Sequence, residues 1–539
     1  MTRLLLLALV LSTASCIGPP KTPEAREPLQ WRFTQSARAR LGGHLAEAGA
    51  AWERLHSPGS NRRERAEAEE RYEKALAAFL KGWSRAQAPR RWQDGAAFAA
   101  HRVRIQTRNH DTREITPRVL ADLRLASEVR TGKAGSLAET DGLGVPLVGR
   151  VFESDQHPLL PRNGAHLTLT ALLEFEKSVP GQPRECRLRL VNPLQQPRVR
   201  IEGKDTPLAA NYTAPKALAL DAGFLKKFSL TGLLYPEKTL DDSRLYQLDP
   251  YDPRRIPVVF VHGLMSDPHI WYPCINALCA DPVLRAHFQP WYFLYPTGMY
   301  VPATSRRLRE SIAEARDRLD PGGTSAAMNQ MVLVGHSMGG LLSRMQAVDS
   351  GMEFWNAHFT KPPEEMRLSE SGRERLRTGF IFEKRPEVAR LIFIATPQRG
   401  SDLADKGIVM RLAKLIRLPV DSMLVVTELL SGNTDALQPQ IRDWGVFSFL
   451  SLSTLSPRHP YIQALNARPI PVPHHSIIGR VGGRTLEDSS DLVVPYRSAH
   501  LPTGSERVVP HWHGCVEQPE VIAEVLKRLR QHLRESGRI

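Results

Sequence analysis

Cysteine is scarce in this chain, five in 539 residues, and so low a content argues against a fold stapled by disulfides. Cys16 closes an apolar N-terminal run. The other four, Cys186, Cys274, Cys279 and Cys515, lack the paired C-x-x-C spacing of a structural zinc site. Cys274 and Cys279 stand five apart in an expected helix, which points their side chains away from one another. All four are expected to be packing residues. Long apolar runs are missing too: beyond the N-terminus no stretch approaches the length that a membrane-spanning helix needs, so the body of the protein is expected to be water-soluble. Sequence repeats and recognisable nucleic-acid modules are absent as well. Lys plus Arg outnumber Asp plus Glu by 72 to 57, a net charge of +15, and a charge of that sign suits anionic lipid surfaces or nucleic acid. In RERAEAEERYEK and ESGRERLRTG, however, basic residues are interleaved with acidic ones, the pattern of solvated helix faces. Nucleic acid is therefore not expected as a partner.

What is present begins at the N-terminus. MTRLLLLALVLSTASCIGPP has one basic residue, an apolar run from Leu4 to Leu11, and small residues up to Cys16, the pattern of an export signal over residues 1–15. TASC resembles a bacterial lipobox, in which the cysteine becomes the lipid-modified first residue of the mature chain, with Thr13 where leucine is usual. The Pro-rich segment 17–28 then reads as a tether, and ordinary signal-peptidase cleavage nearby is the alternative. The expectation is an exported protein held at the membrane of a bacterial cell envelope through Cys16.

From 29 to about 140 the chain is rich in Ala, Arg and Glu, and ERAEAEERYEKALAAFLKGW has apolar positions at helical spacing; a helical hairpin or layer is expected. Between about 144 and 240 the short runs VPLVGRVF, HLTLTALLEFE, CRLRLVNP and VRIEG predict a small β-rich module. LDDSRLYQLDPYDPRR, dense in Asp and Pro, reads as a linker. From about 250 to 539, the apolar segments IPVVFV, PWYFLY, MVLVG, ARLIFIA and HSIIG alternate with helical ones. The predicted fold class is α/β, a doubly wound and mostly parallel sheet with crossover helices, preceded by the helical layer and the β module. Two insertions are candidates for a cap or lid, one at about 351–387 and highly charged, the other at about 406–473 and containing IVMRLAKLIRLPVDSMLVVTELL. The apolar one either shields an acyl pocket or meets lipid, or else packs on the core.

The chemistry centres on Gly335-His336-Ser337-Met338-Gly339, between the strand MVLV and a helical pattern. A nucleophile at a sharp strand-to-helix turn has strained backbone angles, and glycine on either side avoids collisions. The pentapeptide alone is weak evidence; the strand before it and the helix after it make it a nucleophile candidate. PVVFVHGLMSDPHIW looks like the strand and oxyanion loop of lipases and esterases; this resemblance implies that Gly263 lets backbone approach a substrate and that the N–H groups of Leu264 and Met338 are the donors to a developing oxyanion. His262 reads as structural. Asp491, past the strand HSIIG, is the expected acid, with Asp488 second. PHWHG offers His511 and His513 as the base; His513, presented before Gly514, is preferred, and His500 is more remote.

VHGL, YPTG, GHSMGG, ATPQRGS, DLVVPYRSAHLP and a late histidine together resemble the bacterial α/β-hydrolase superfamily, in particular exported or lipoprotein esterases and lipase-like members, over about Asp249 to Leu533. LAANYTAPKA is similar to a segment that precedes the hydrolase domain in such proteins. Such relatives commonly have glycine after the acid, where this chain has Leu492, and HWH replaces a single histidine. The resemblance implies a triad of Ser337, Asp491 and His513 that cleaves carboxylic esters, lipid-like ones among them, through an acyl-enzyme, with no metal or organic cofactor. An acyltransferase using the same triad and a non-catalytic binding scaffold are the alternatives. Oligomeric state is not legible.

Overall fold

The computed structural model describes residues 34–106, 114–132, 134, 136–154, 159–161, 163–220, 222–401 and 416–539. The segments read as export signal and tether, Cys16, and residues 402–415, where the second insertion begins, lie outside the described residues. Helices α1 (Gln35–His56) and α2 (Arg62–Ala86) form a hairpin. Asn61 accepts from the Glu64 N–H at 3.0 Å and Glu64 accepts from the Asn61 N–H at 3.1 Å, so that two donors that the helix itself cannot satisfy are capped. The hairpin buries a stripe that includes Leu41, Leu45, Leu76, Phe79 and Trp83.

Two helices cannot bury such a stripe alone. They lie on a six-stranded sheet of β1 (Ala96–Phe98), β2 (His101–Ile105), β3 (Asp122–Leu125), β4 (Val145–Val151), β5 (Ala165–Phe175) and β6 (Arg184–Val191), in the order β1-β2-β6-β5-β4-β3. One apolar core joins hairpin and sheet. This corrects the sequence reading in two respects. Residues 29–140 are not helical throughout, because β1, β2 and β3 lie within them, and the helical layer and β module form one two-layer unit. Strands of three to five residues are too short to display their period in a charged background. A further departure is α3 (Thr213–Ala219), inside the range read as β-rich. It joins the two units: the Lys216 ammonium, 1% exposed, pairs with Asp249 at 2.5 Å, and Thr213 donates to Asn276 at 2.7 Å. Buried polar groups persist where they are paired in this way.

The second sheet contains β7 (Arg244–Gln247), β8 (Ile256–Val261), β9 (Phe288–Leu294), β10 (Met331–His336), β11 (Val388–Ile394), β12 (His474–Gly479) and β13 (Ser505–Val509), ordered β7-β9-β8-β10-β11-β12-β13. β7 pairs with β9 antiparallel, and the remaining pairings are parallel. β8 to β12 fall on the five segments that read as strands. β7 lies in the stretch read as a linker, four residues between Asp- and Pro-rich flanks, and β13 is mostly exposed, so neither carries a buried apolar run. Along β8, Val258 and Phe260 face α4 (Tyr272–Ala280), while Val259 and Val261 face α5 (Val301–Leu319) and α6 (Met338–Arg344). This double cover is what makes the strands apolar at every position.

The charged insertion 351–387 contributes α7 (Glu370–Phe380) and buries Phe354, Trp355, Phe359, Leu376 and Phe380 in the same core as α5. A further helix, α8 (Val420–Gly432), buries Val426 and Leu429 and exposes Val420, Met423 and Leu424. The closing helix α9 (Pro519–Glu535) packs with α4. Cys186, Cys274, Cys279 and Cys515 are buried free thiols. Among the described residues no helix is long and apolar enough to cross a membrane.

Candidate active site

β10 ends at His336 and α6 begins at Met338, so Ser337 alone turns the chain. Its φ of 53° and ψ of −125° cost a residue with a side chain about 1–3 kcal/mol. The flanking glycines make the turn possible by their size. A Cβ on Gly335 would stand 2.5 Å from Gly340 Cα, and one on Gly339 would stand 2.2 Å from the Val261 carbonyl oxygen. The Ser337 N–H is tied to the end of β11 through Ile394 O at 2.9 Å.

His513 comes from the loop after β13 and reaches Ser337 Oγ with Nε2 at 2.9 Å. Its Nδ1 lies 2.8 Å from Asp491 Oδ2. An ionised carboxylate can only accept, so Nδ1 carries the proton, and Nε2 of the neutral ring is left to accept from the Ser337 hydroxyl. Asp491, 1% exposed, is held by the N–H groups of Val493 at 2.9 Å and Val494 at 2.6 Å, both on Oδ1. Its carbonyl accepts from the His513 N–H at 2.9 Å, so the loops bearing acid and histidine are joined twice.

The other histidines and the second carboxylate are engaged elsewhere. His511 lies 2.6 Å from Glu520 on α9, His500 is 2.7 Å from Glu506, and Asp488 accepts from the Thr485 hydroxyl at the surface. His262 is buried, stacked on Tyr295 with ring centroids 4.3 Å apart. Burial pushes its imidazole down to about 4.

Gly263 brings the loop after β8 against the nucleophile: a Cβ there would lie 2.9 Å from Ser337 Cβ. Among the described residues no protein group accepts from the N–H of Leu264 or of Met338, which leaves both free for a substrate oxygen. Strain gathers on this edge of the sheet. Of the seven non-glycine residues with positive φ among the described residues, Met265, Ser337, Ala395 and Leu492 follow the ends of β8, β10, β11 and β12. Leu492, at φ 75°, stands where glycine would be unstrained.

Two contributors escaped the sequence reading. His336 is buried, and its Nε2 donates to the His513 carbonyl at 2.9 Å. Burial, helped by the neighbouring His513, pushes its imidazole down to about 3, so it stays neutral. The loop ATPQRGS braces the acid loop: the Arg399 N–H donates to Ser498 Oγ at 3.2 Å and Ser401 Oγ to the Val493 carbonyl at 2.5 Å. A His preceding the serine and a hydroxyl-rich loop were visible in the sequence, but not their partners, 177, 99 and 92 residues further along. No cluster of three or more His, Cys, Asp and Glu side chains with metal-binding geometry occurs among the described residues.

No protein-family model and no curated protein matches this chain. Among solved structures it is similar to the mature form of a Bacillus licheniformis lipase, at 16% identity and a TM-score of 0.31 over 53% of this chain and 97% of the lipase. It is similar also to a lipase-esterase related protein of Clostridium acetobutylicum, at 13% identity and a TM-score of 0.29 over 52% and 96% of the two chains. Esterase B of Lactobacillus rhamnosis gives 13% identity and a TM-score of 0.30 over 54% and 80%. At such scores, function is read from the side chains of this chain alone.

Proposed function

We propose that the chain is a serine hydrolase of the α/β-hydrolase type that cleaves carboxylic esters, lipid-like ones among them. The observation that carries this is the continuous hydrogen-bonded relay from Ser337 through His513 to the buried carboxylate of Asp491. In the proposed reaction His513 Nε2 takes the hydroxyl proton as Ser337 Oγ attacks the ester carbonyl carbon. Asp491 stabilises the imidazolium, and the N–H groups of Leu264 and Met338 receive the oxyanion, each worth about 2.7–4 kcal/mol. Collapse of the tetrahedral adduct breaks the bond to the alcohol, which leaves with the proton returned by His513. Water, deprotonated by the same histidine, then releases the acid and restores Ser337.

A fluorophosphonate probe tests the assignment. The wild type is expected to be labelled, and Ser337→Ala to remain folded, unlabelled and slower on esters by roughly 10⁴-fold or more. Labelling that persists in Ser337→Ala would overturn it. At the N-terminus the proposal is export followed by lipid attachment at Cys16, which anchors the enzyme to a membrane of the cell envelope. Mass spectrometry of the mature N-terminus checks it, an unmodified first residue other than Cys16 being the contrary result.

A further inference from the structure

The helix that carries the nucleophile ends in a buried cation. Arg344, the last residue of α6, is 2% exposed, and its described hydrogen bonds all go to uncharged oxygens. Nη1 donates to Gln398 Oε1 at 3.0 Å and to Asn466 Oδ1 at 3.2 Å, and Nη2 to the carbonyls of Leu465 at 3.0 Å and Arg468 at 3.1 Å. Burial, with Arg399 nearby, pushes the guanidinium down to about 10, so it is charged at neutral pH. A charge buried without an opposite one is costly, and an apolar side chain of similar volume fills such a place without that cost. Packing alone therefore does not account for an arginine here.

The bonds that it makes join α6 to the acid. Helix α6 meets segment 394–398, at and after the end of β11, on three levels. At its start the Ser337 N–H donates to the Ile394 carbonyl at 2.9 Å. One turn on, a Cβ on Gly340 would collide with the Thr396 side chain, so helix and loop are in direct contact. At its end Arg344 holds Gln398. Seven residues of helix span about 10 Å, and the loop is fixed against the nucleophile's helix over that length. The residues after Gln398 clasp the acid loop. The Arg399 N–H donates to the Ser498 carbonyl and Oγ, both at 3.2 Å. Its Nη1 donates to the carbonyls of Arg497 at 2.9 Å and His500 at 2.5 Å, and Ser401 Oγ to that of Val493 at 2.5 Å. The Val493 N–H in turn donates to Asp491 Oδ1 at 2.9 Å. Leu465 and Arg468, the remaining carbonyl partners of Arg344, lie at the end of the helix Pro460–Asn466, where carbonyls lack partners within the helix and attract a cation.

We propose that Arg344 is a positioning residue: by holding Gln398 it sets the serine's helix against the acid loop, and so the geometry in which Asp491 presents His513 to Ser337. This rests on the reading of those three residues as the triad.

Arg344→Met removes the guanidinium at similar length, and Gln398→Leu breaks the same link from the other side if the first variant fails to fold. Each full-length variant is assayed on p-nitrophenyl butyrate and by its rate of fluorophosphonate labelling, alone and combined with Asp491→Asn. The expected result is a fall of about tenfold in kcat and in labelling rate, with KM changed less than about twofold. The two substitutions together should lose no more than either alone, and in Asp491→Asn each should change the residual rate less than about twofold. An unchanged kcat in a folded variant overturns the proposal. So does a loss of equal size in Asp491→Asn, which would make the arginine a packing residue. Failure of the triad reading is seen separately, as absence of labelling in the wild type.

Discussion

The two sheets of this protein differ in what their faces do. In the first, β2 and β6 present one apolar face to the helical hairpin and a charged one to solvent, where Arg102 and Arg104 pair with Glu185, and Arg189 with Glu114 and Glu174. The second is apolar on both faces. Positive-φ residues of the first unit, such as Ala99 and Glu202, sit in tight turns between paired antiparallel strands. Those of the second, Met265, Ser337, Ala395 and Leu492, lie in the loops that follow parallel strands. A strained residue persists only where its surroundings over-determine it, and a parallel sheet covered on both sides supplies that rigidity at one edge. The first unit thus keeps its strain in turns away from the triad, and the second holds groups in costly positions around it.

The sharpest way to break that contrast is at the base. His513→Ala is expected to lower kcat/KM for an ester by roughly 10⁴-fold, whereas His511→Ala, whose partner is Glu520, should change it less than threefold. Equal losses would show that the two histidines share the role. Next in size is His336→Phe, which removes the donor to the His513 carbonyl. A loss of about tenfold in kcat is expected on the scale of one misplaced catalytic group, with partial recovery in His336→Gln, and stopped assays across pH separate this from simple unfolding. In the first sheet the sign of the effect reverses. Arg189→Met removes the guanidinium that Glu174 and Glu114 share and should cost about 1.5–3 kcal/mol in a urea melt with kcat/KM unchanged; a loss of activity without loss of stability would contradict the division of labour.

The buried histidines also set the response to acid. Burial pushes His262 and His459 down to about 4 and His336 to about 3, against an unfolded value near 6.5. Between those limits the unfolded chain binds protons that the folded chain does not, so stability rises with pH there and is lost as pH falls from about 6.5 toward 4. Each such histidine contributes up to about 1.4 kcal/mol per pH unit. Melting temperature followed over that range should drop, and His459→Gln should flatten the slope; an unaltered slope would remove His459 from the account.

Much of the second sheet was legible because β8 to β12 are short apolar runs bounded by turn residues, a pattern that burial on both faces imposes. β7 and β13 were not, since an edge strand needs no such run. The first unit was read as two layers in series because sequence shows periods but not which face covers which. At the site, Ser337 was legible through its glycines, whose missing side chains are a local requirement. His513 and His511 are two residues apart in similar surroundings, and no local pattern separates them; the difference lies in Asp491 facing one and Glu520 the other.

Order along the chain was enough to mark β8 to β12 as strands and to single out Ser337 between its glycines. Short apolar runs and small flanking residues are patterns written in consecutive positions. Tertiary structure alone decided which histidine meets the serine, that His336 braces the base it cannot replace, and that Arg344 reaches Gln398 from the far end of the serine's helix. Each of these depends on groups brought together across long stretches of chain, and a hydrogen bond is defined by positions in space that no periodicity encodes.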